Sequence, residues 1–344
     1  MTAIVAYRHG EAAFLLGDFA LSGMPLSEPL SLPSRWSAAQ PSANPAFNGL
    51  AQKVVQVDDR CAVAWSGREI YAKAVIGDVR DRILAGARDF TIGDVIADFD
   101  FHRHEHDRLS FVMFMIRRDP NRLVRSTWNV GTRTYADGRE LYFAGSGGTH
   151  VLKYLDHGYT LLSGPRNTIE DARRAIITQA AGAFRADLAT DANHALGYGG
   201  GFEVIEADGA AMVIRKRPIG AVVWTYEGED FDPRGPFFLQ SYSEDGALVV
   251  DRCEVGGLIH RHLIDGLIRK PNPSRLPPLN TLPYAYVHYL EDATGRSPGR
   301  AVVVSGEEPG QGFRIYHDIE RERIGCEYDT TFLERVLLQP LRAA

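Results

Sequence analysis

Thr2 follows Met1 directly and opens the apolar run at residues 2–7, TAIVAY. Removal of the methionine would make this threonine N-terminal, placing a hydroxyl and a free α-amino group on one residue. A hydroxyl is a weak nucleophile until a base stands beside it. An α-amino group, with an ordinary pKa of about 8, supplies one, because part of it is free amine near neutrality. A small second residue is also simply what methionine removal leaves, so the reading depends on residues further along the chain.

Two groups of histidines suggest a different chemistry. His102, His104 and His106 alternate in FHRHEHD, which on a strand would put three imidazoles on one face; His260 and His262 lie in a segment, 258–268, that reads as helix. Imidazoles suit zinc, copper or nickel. A charged loop accounts for the first group, and side chains two apart on a helix diverge, so neither a metal nor a cofactor is expected.

The elements that must position Thr2 come in hairpin-like pairs. Residues 2–7 and 12–16 flank Arg8–His9–Gly10–Glu11, and residues 53–57 pair in the same way with 61–65, which predicts antiparallel sheets. Ile70, Ala74, Val75, Val79 and Ile83 recur at helical spacing, and Thr168 with Asp171 offers a capping start for a helix reaching about residue 188. Two sheets packed face to face with helices outside would bury both faces of each sheet.

Read in order, the chain gives Gly17–Asp18, then QKVVQVDD at 52–59, CAVAWSG at 61–67, a helix from Arg68, strands at 109–117 and 123–130, ELYFAGSGG at 140–148, a long helix, Asp191 and Gly199–Gly200–Gly201. This order resembles the proteasome β-subunit family of N-terminal-nucleophile (Ntn) hydrolases. The resemblance implies an α+β fold, the four-layer αββα Ntn-hydrolase sandwich of two antiparallel sheets with flanking helices, over residues 1–216. It also implies catalytic roles for Thr2, Asp18, Lys53, Gly67, Ser146 and Asp191. Thr2 would be the nucleophile and Lys53 a cation that eases alkoxide formation. Asp18 would orient the lysine, and the Gly67 N–H would meet the developing oxyanion. Ser146 and Asp191 would orient the amine and the deacylating water. Ser22 and Trp65 would line the substrate pocket, with the Trp65 indole restricting it to small side chains.

The same resemblance implies a peptide or small amide as substrate, a homo-oligomer, and a separate ATPase partner, since the chain carries no ATPase motif. Residues 21–50 form an insert with prolines at 25, 29, 33, 41 and 45, which excludes regular helix or central strand and predicts a loop at the mouth of the site. Residues 217–344 lie beyond the resemblance and read as a C-terminal α+β extension rich in strands. Strands are predicted there near 221–226, 237–242, 247–252, 284–290 and 301–304.

Two other readings stay open. A non-catalytic scaffold of the same fold would need none of the four residues Thr2, Asp18, Lys53 and Gly67. The run Arg8–His9–Gly10–Glu11 resembles the phosphohistidine signature of the histidine phosphatases, with phosphoryl transfer at His9. The late strand that should end in a second histidine runs instead into Ser305–Gly306–Glu307.

Composition excludes several classes. The 344 residues are 44% hydrophobic with a formal net charge of −6, enough for proper cores, and the dispersed basic residues argue against a nucleic-acid partner. Gly199–Gly201 lacks the Gly-Lys-Ser/Thr ending of a phosphate loop. The three cysteines, Cys61, Cys253 and Cys326, are widely spaced and suggest no disulfide framework or zinc site. No signal peptide or membrane-length apolar run is seen, and a cytoplasmic location is expected.

Overall fold

The computed structural model describes residues 2–22, 47–101, 103–118, 121–136, 138–152, 170, 172–174, 176–178, 180, 199–233, 237–243, 246–253, 259–264, 266, 285–294, 300–305, 312–318 and 323–338. The protein is mixed α+β, mostly strands in several antiparallel sheets, with few helices. It divides into two compact units, Met1–Lys216 with Asp265–Lys270, and Arg217–Ile264 with Pro271–Ala344.

In the first unit the strands are β1 (Ile4–His9), β2 (Ala12–Asp18), β3 (Ala20–Ser22), β4 (Phe47–Leu50), β5 (Val54–Asp58) and β6 (Cys61–Ser66), followed by helices α1 (Glu69–Leu84), α2 (Ile92–Ala97) and α3 (Arg103–His106). Strands β7 (Ser110–Arg118), β8 (Asn121–Trp128), β9 (Gly131–Thr134), β10 (Glu140–Ala144), β11 (Phe202–Asp208) and β12 (Val213–Lys216) complete it. One sheet runs β12-β11-β2-β1-β10-β9 and a second β5-β6-β7-β8, while β3 and β4 pair separately. The tight β1–β2 turn uses Gly10 at φ +58°, and the register sets Ile4 opposite Gly17 and His9 opposite Ala12.

Alternation along the strands explains the core. Ile4, Ala6, Ala13, Leu15, Ile205 and Ala207 of the first sheet pack against Val54, Ala62, Ala64, Val112 and Phe114 of the second. The opposite face of the second sheet, with Val55, Val63, Trp65, Phe111, Met113 and Met115, is covered by Ala72, Val75, Ile76 and Val79 of α1 and Ile92, Val95 and Ile96 of α2. A sheet covered on both faces needs apolar residues at successive positions, which is why β6 is buried along its whole length. Helix α2 is started by a reciprocal cap between Thr91 and Asp94. The buried stripe of α1 is centred on Ala72, Val75, Ile76, Val79 and Ile83, so Ile70, expected in it, stands outside at 70% exposed.

The insert is corrected at its ends. Leu21 and Ser22 pair with Gly49 and Phe47 in the β3–β4 ladder, because the proline-free ends can donate ladder hydrogen bonds. Residues 23–46, prolines included, lie outside the described residues. The histidine run is corrected as well. Residues 103–106 form the helical turn α3, so His104 and His106 do not share a strand face, and His102 lies outside the described residues.

The second unit contains β13 (Ile219–Glu227), β14 (Asp230–Asp232), β15 (Phe237–Tyr242), β16 (Leu248–Cys253), β17 (Ile259–Ile264), β18 (Ala285–Asp292), β19 (Arg300–Ser305), β20 (Phe313–Asp318), β21 (Arg323–Tyr328), and α4 (Thr330–Phe332) leading into a π-helical turn, Leu333–Leu338. Its main sheet runs β17-β16-β15-β13-β18-β19 with β14 on β13; β13 and β18 pair in parallel, and the other pairings among the described residues of that sheet are antiparallel. The expected helix at 258–268 is strand β17, because the β16 ladder takes it up, Val250 opposite His262 and Arg252 opposite His260. On a strand the two histidines share a face. Burial, with the charges of Arg252 and His260, pushes His262 down to about 4. The core beneath holds Trp224, His288, Phe313 and Phe332 in mutual ring contact. The Trp224 indole N–H donates to His288 Nδ1 at 3.1 Å, and burial pushes His288 down to about 3.

Candidate active site

Thr2 lies just ahead of β1, 4% exposed, where the chain enters the first sheet. Its carbonyl oxygen accepts a hydrogen bond from the Gly147 N–H at 3.1 Å. Gly145, at φ +81°, passes so close that a β-carbon there would stand 2.0 Å from the same oxygen. Gly145 of the Gly-Ser-Gly turn is therefore required by the approach of the Thr2 backbone.

Lys53, at the head of β5, is fully buried. Its Nζ donates to Thr2 Oγ1 at 3.0 Å, to the Ala20 carbonyl at 2.8 Å and to Asp18 Oδ1 at 3.4 Å. An ammonium has three protons, and three acceptors surround this one. Gly17 makes the approach possible, since a β-carbon there would meet Lys53 Cβ at 2.8 Å. Asp18 closes β2 and is held from both sides: Oδ1 accepts from the Ala3 N–H at 2.9 Å and Oδ2 from the Gly199 N–H at 3.0 Å.

Burial dominates the electrostatics. It lowers the Lys53 pKa, against the opposing charge and hydrogen bond of Asp18. It raises that of Asp18, against Lys53 and the Ala3 and Gly199 N–H donors. Two desolvated charges persist when each has a partner and its remaining polar capacity is met, as here. With Lys53 donating to Oγ1, the pair presents positive charge where a threonine alkoxide would form.

Thr2, Leu21, Ser66, Gly67, Ile70 and Ser146 line one cavity of about 480 Å³. Gly67 sits past the end of β6 at φ +115°, and a β-carbon there would come 2.5 Å from the Arg108 carbonyl, so this position also demands glycine. Helix α1 begins two residues later, without a side-chain cap.

The structure thus brings Thr2, Asp18 and Lys53 into contact and sets Thr2, Gly67 and Ser146 around one cavity. Trp65, expected in the pocket, is corrected. It is fully buried in the core beneath α1, its Nε1–H donates to the Gln52 carbonyl at 2.9 Å, and its ring stands 5.4 Å from Lys53 Nζ. It is not among the described residues that line the cavity. Ser22 ends β3 beside Leu21, and its side chain lies outside the described residues, as does all of Asp191. Sequence reasoning missed Ser66, Gly145 and Gly147, and the role of Gly199 as a donor to Asp18. Three of the four are glycines, which carry no local sign that another backbone lies against them, and Ser66 is the serine just before Gly67.

The Arg8–Glu11 run forms the β1–β2 turn. Arg8 Nε donates to the Gly10 carbonyl at 3.2 Å and its guanidinium faces Glu140 at 3.9 Å, which occupies the arginine that a phosphohistidine site would need for phosphate.

The fold and site describe a strand-rich α+β protein with a buried lysine–aspartate pair against Thr2. Among solved structures, it is similar to HslV from Trypanosoma brucei, at 16% identity over 60% of this chain and 98% of that one, with a TM-score of 0.31. No protein-family model matches the chain. No curated protein matches it.

Proposed function

We propose that this protein is a threonine-type Ntn hydrolase, a peptidase or amidase that cleaves its substrate through an acyl-enzyme on Thr2 after Met1 is removed. The observation that carries the reading is the contact of Lys53 Nζ with Thr2 Oγ1 at 3.0 Å, with Asp18 as the buried partner of the lysine.

In this mechanism Thr2 Oγ1 attacks the amide carbonyl carbon and its proton passes to the α-amino group. The Gly67 N–H receives the oxyanion. The C–N bond breaks as the α-ammonium returns the proton to the leaving amine, and an ester on Thr2 remains. Water, activated by the same amine and oriented by Ser146, attacks the ester, releases the carboxylate and restores the hydroxyl. Asp191 would share the orienting role.

The αββα sandwich belongs to this proposal. Three layers follow from the packing already described, and a fourth is supported on the outer face of the first sheet. There Val5, Tyr7, Phe14, Leu16, Phe202 and Val204 are buried, as are the helical residues Val151, Leu152, Ala172, Ile176 and Ile177. Arg173 of that segment donates to Glu206 of β11 at 3.0 Å. Assembly into a homo-oligomer, dependence on a separate ATPase and a cytoplasmic location complete the reading. No described helix is long and apolar enough to cross a membrane.

The test is the intact mass of the native, untagged protein before and after a threonine-directed epoxyketone or β-lactone. Loss of Met1 and one adduct mapped to Thr2 is the expected result. Retention of Met1 removes the base and refutes the mechanism.

A further inference from the structure

We propose that Arg108 makes the site selective for acidic peptides, those whose acyl-donating residue carries a side-chain carboxylate. This rests on Thr2 being the nucleophile of an amide hydrolase. Three ionisable residues on the cavity lining flank Gly67 in sequence or space: Arg68, Glu69 and Arg108. Two are committed elsewhere. Arg68 pairs with the buried Glu105 at 2.7 Å, and Glu69 with Lys73, one helical turn on, at 2.6 Å. Below them, Lys53 is matched by Asp18.

Arg108 is exposed, and its guanidinium has no ion pair or hydrogen bond among the described residues. The described lining therefore holds one cation without a counter-charge. Its backbone is fixed next to the reacting centre. The Arg108 carbonyl packs against Gly67, its N–H donates to the Glu105 carbonyl at 3.1 Å, and Asn129 Nδ2 holds the carbonyls on either side, Asp107 at 2.6 Å and Leu109 at 3.3 Å. With Trp65 in the core, the cavity of about 480 Å³ has room for a glutamate-sized side chain. A guanidinium takes a carboxylate in a two-pronged, charge-assisted pair that neither a neutral isostere nor a lysine substrate can match.

The experiment uses the processed full-length protein and three aminocoumarin tripeptides that differ only in Glu, Gln or Lys at the acyl-donating position. The expected Glu-to-Gln ratio in kcat/KM is roughly 10 at low ionic strength, shrinking as salt is added. Arg108→Gln should bring it to about 1, and Arg108→Glu should raise turnover of the Lys substrate above that of the unaltered protein, a gain that misfolding cannot produce. Thr2-dependent turnover with no Glu preference, or with a preference that Arg108 variants leave intact, overturns the proposal alone. No turnover of any of the three that is abolished by Thr2→Ala overturns the hydrolase reading and this proposal together.

Discussion

A β-carbon on Gly145 would stand 2.0 Å from the carbonyl oxygen of Thr2 and 3.2 Å from Ser66 Oγ. The threonine is thereby located by the backbone of a distant turn as much as by its own strand. Gly145→Ala would also force an alanine to φ +81°, a strain of about 1–2 kcal/mol before any clash. We expect a lower melting temperature and at least ~100-fold slower epoxyketone adduct formation at Thr2, since a misplacement of about 1 Å costs that much in a positioned site. Adduct rates by mass spectrometry beside a thermal melt would check both.

Replacing Lys53 alone leaves the buried Asp18 without its cation. Breaking a buried pair from one side costs about 3–5 kcal/mol, while neutralising both partners costs less. Lys53→Met is expected to be strongly destabilised, and Lys53→Met with Asp18→Asn to recover much of the loss without recovering turnover. Denaturant melts of the single and double variants, with amidase assays, separate the structural role of the pair from its catalytic one.

Thr2→Ala removes the nucleophile and, with it, the Oγ1 that accepts from the buried Lys53 Nζ at 3.0 Å, while the Thr2 backbone bond to Gly147 remains. Hydrolysis should vanish with folding stability lowered by about 1–3 kcal/mol for the unmet ammonium proton, and Thr2→Ser, which keeps that acceptor, should retain measurable turnover. A protein whose biological role survives Thr2→Ala is a scaffold, and that result would sink the hydrolase reading.

The pH dependence of stability should be led by His288. Its ordinary value of 6.5 falls to about 3 in the folded state through burial, so between those limits the unfolded chain binds the extra proton. Its contribution is complete above 6.5 and is lost as pH falls toward 3. We expect acid titration to unfold the second unit first, with Trp224 fluorescence reporting it through its bond to His288. His288→Gln should flatten that slope, at a cost at neutral pH of about 1–3 kcal/mol for the disturbed Trp224 partner.

Much of the site could be read from the chain because its parts are short and local. Asp18 ends a strand, Lys53 begins one, and Gly67 interrupts one, so each carries its own mark. The error at Trp65 has a physical source. Side chains two apart share a face only while the strand continues, and Gly67 has already left it at φ +115°. Ser66, on the face opposite Trp65, is the residue that reaches the cavity. The helix expected at 258–268 failed for another reason. Ile259 and Leu263 recur at a spacing that suits a helix turn, and only the distant β16 decides for strand, a tertiary effect no local pattern carries. The Gly145–Thr2 approach was likewise invisible, since a glycine in a turn looks the same whether or not another backbone lies against it.

Asp18 takes one of its hydrogen bonds from Gly199, 181 residues further on. The two steps that would create a working nucleophile therefore need different amounts of chain. Removing Met1 requires only the first few residues, whereas seating the aspartate that steadies Lys53 requires the chain through Gly199. A polypeptide cut short before that point would leave Asp18 Oδ2 without its Gly199 donor, so in the proposed mechanism the full seating of the charge pair would wait on a stretch of chain that methionine removal does not need.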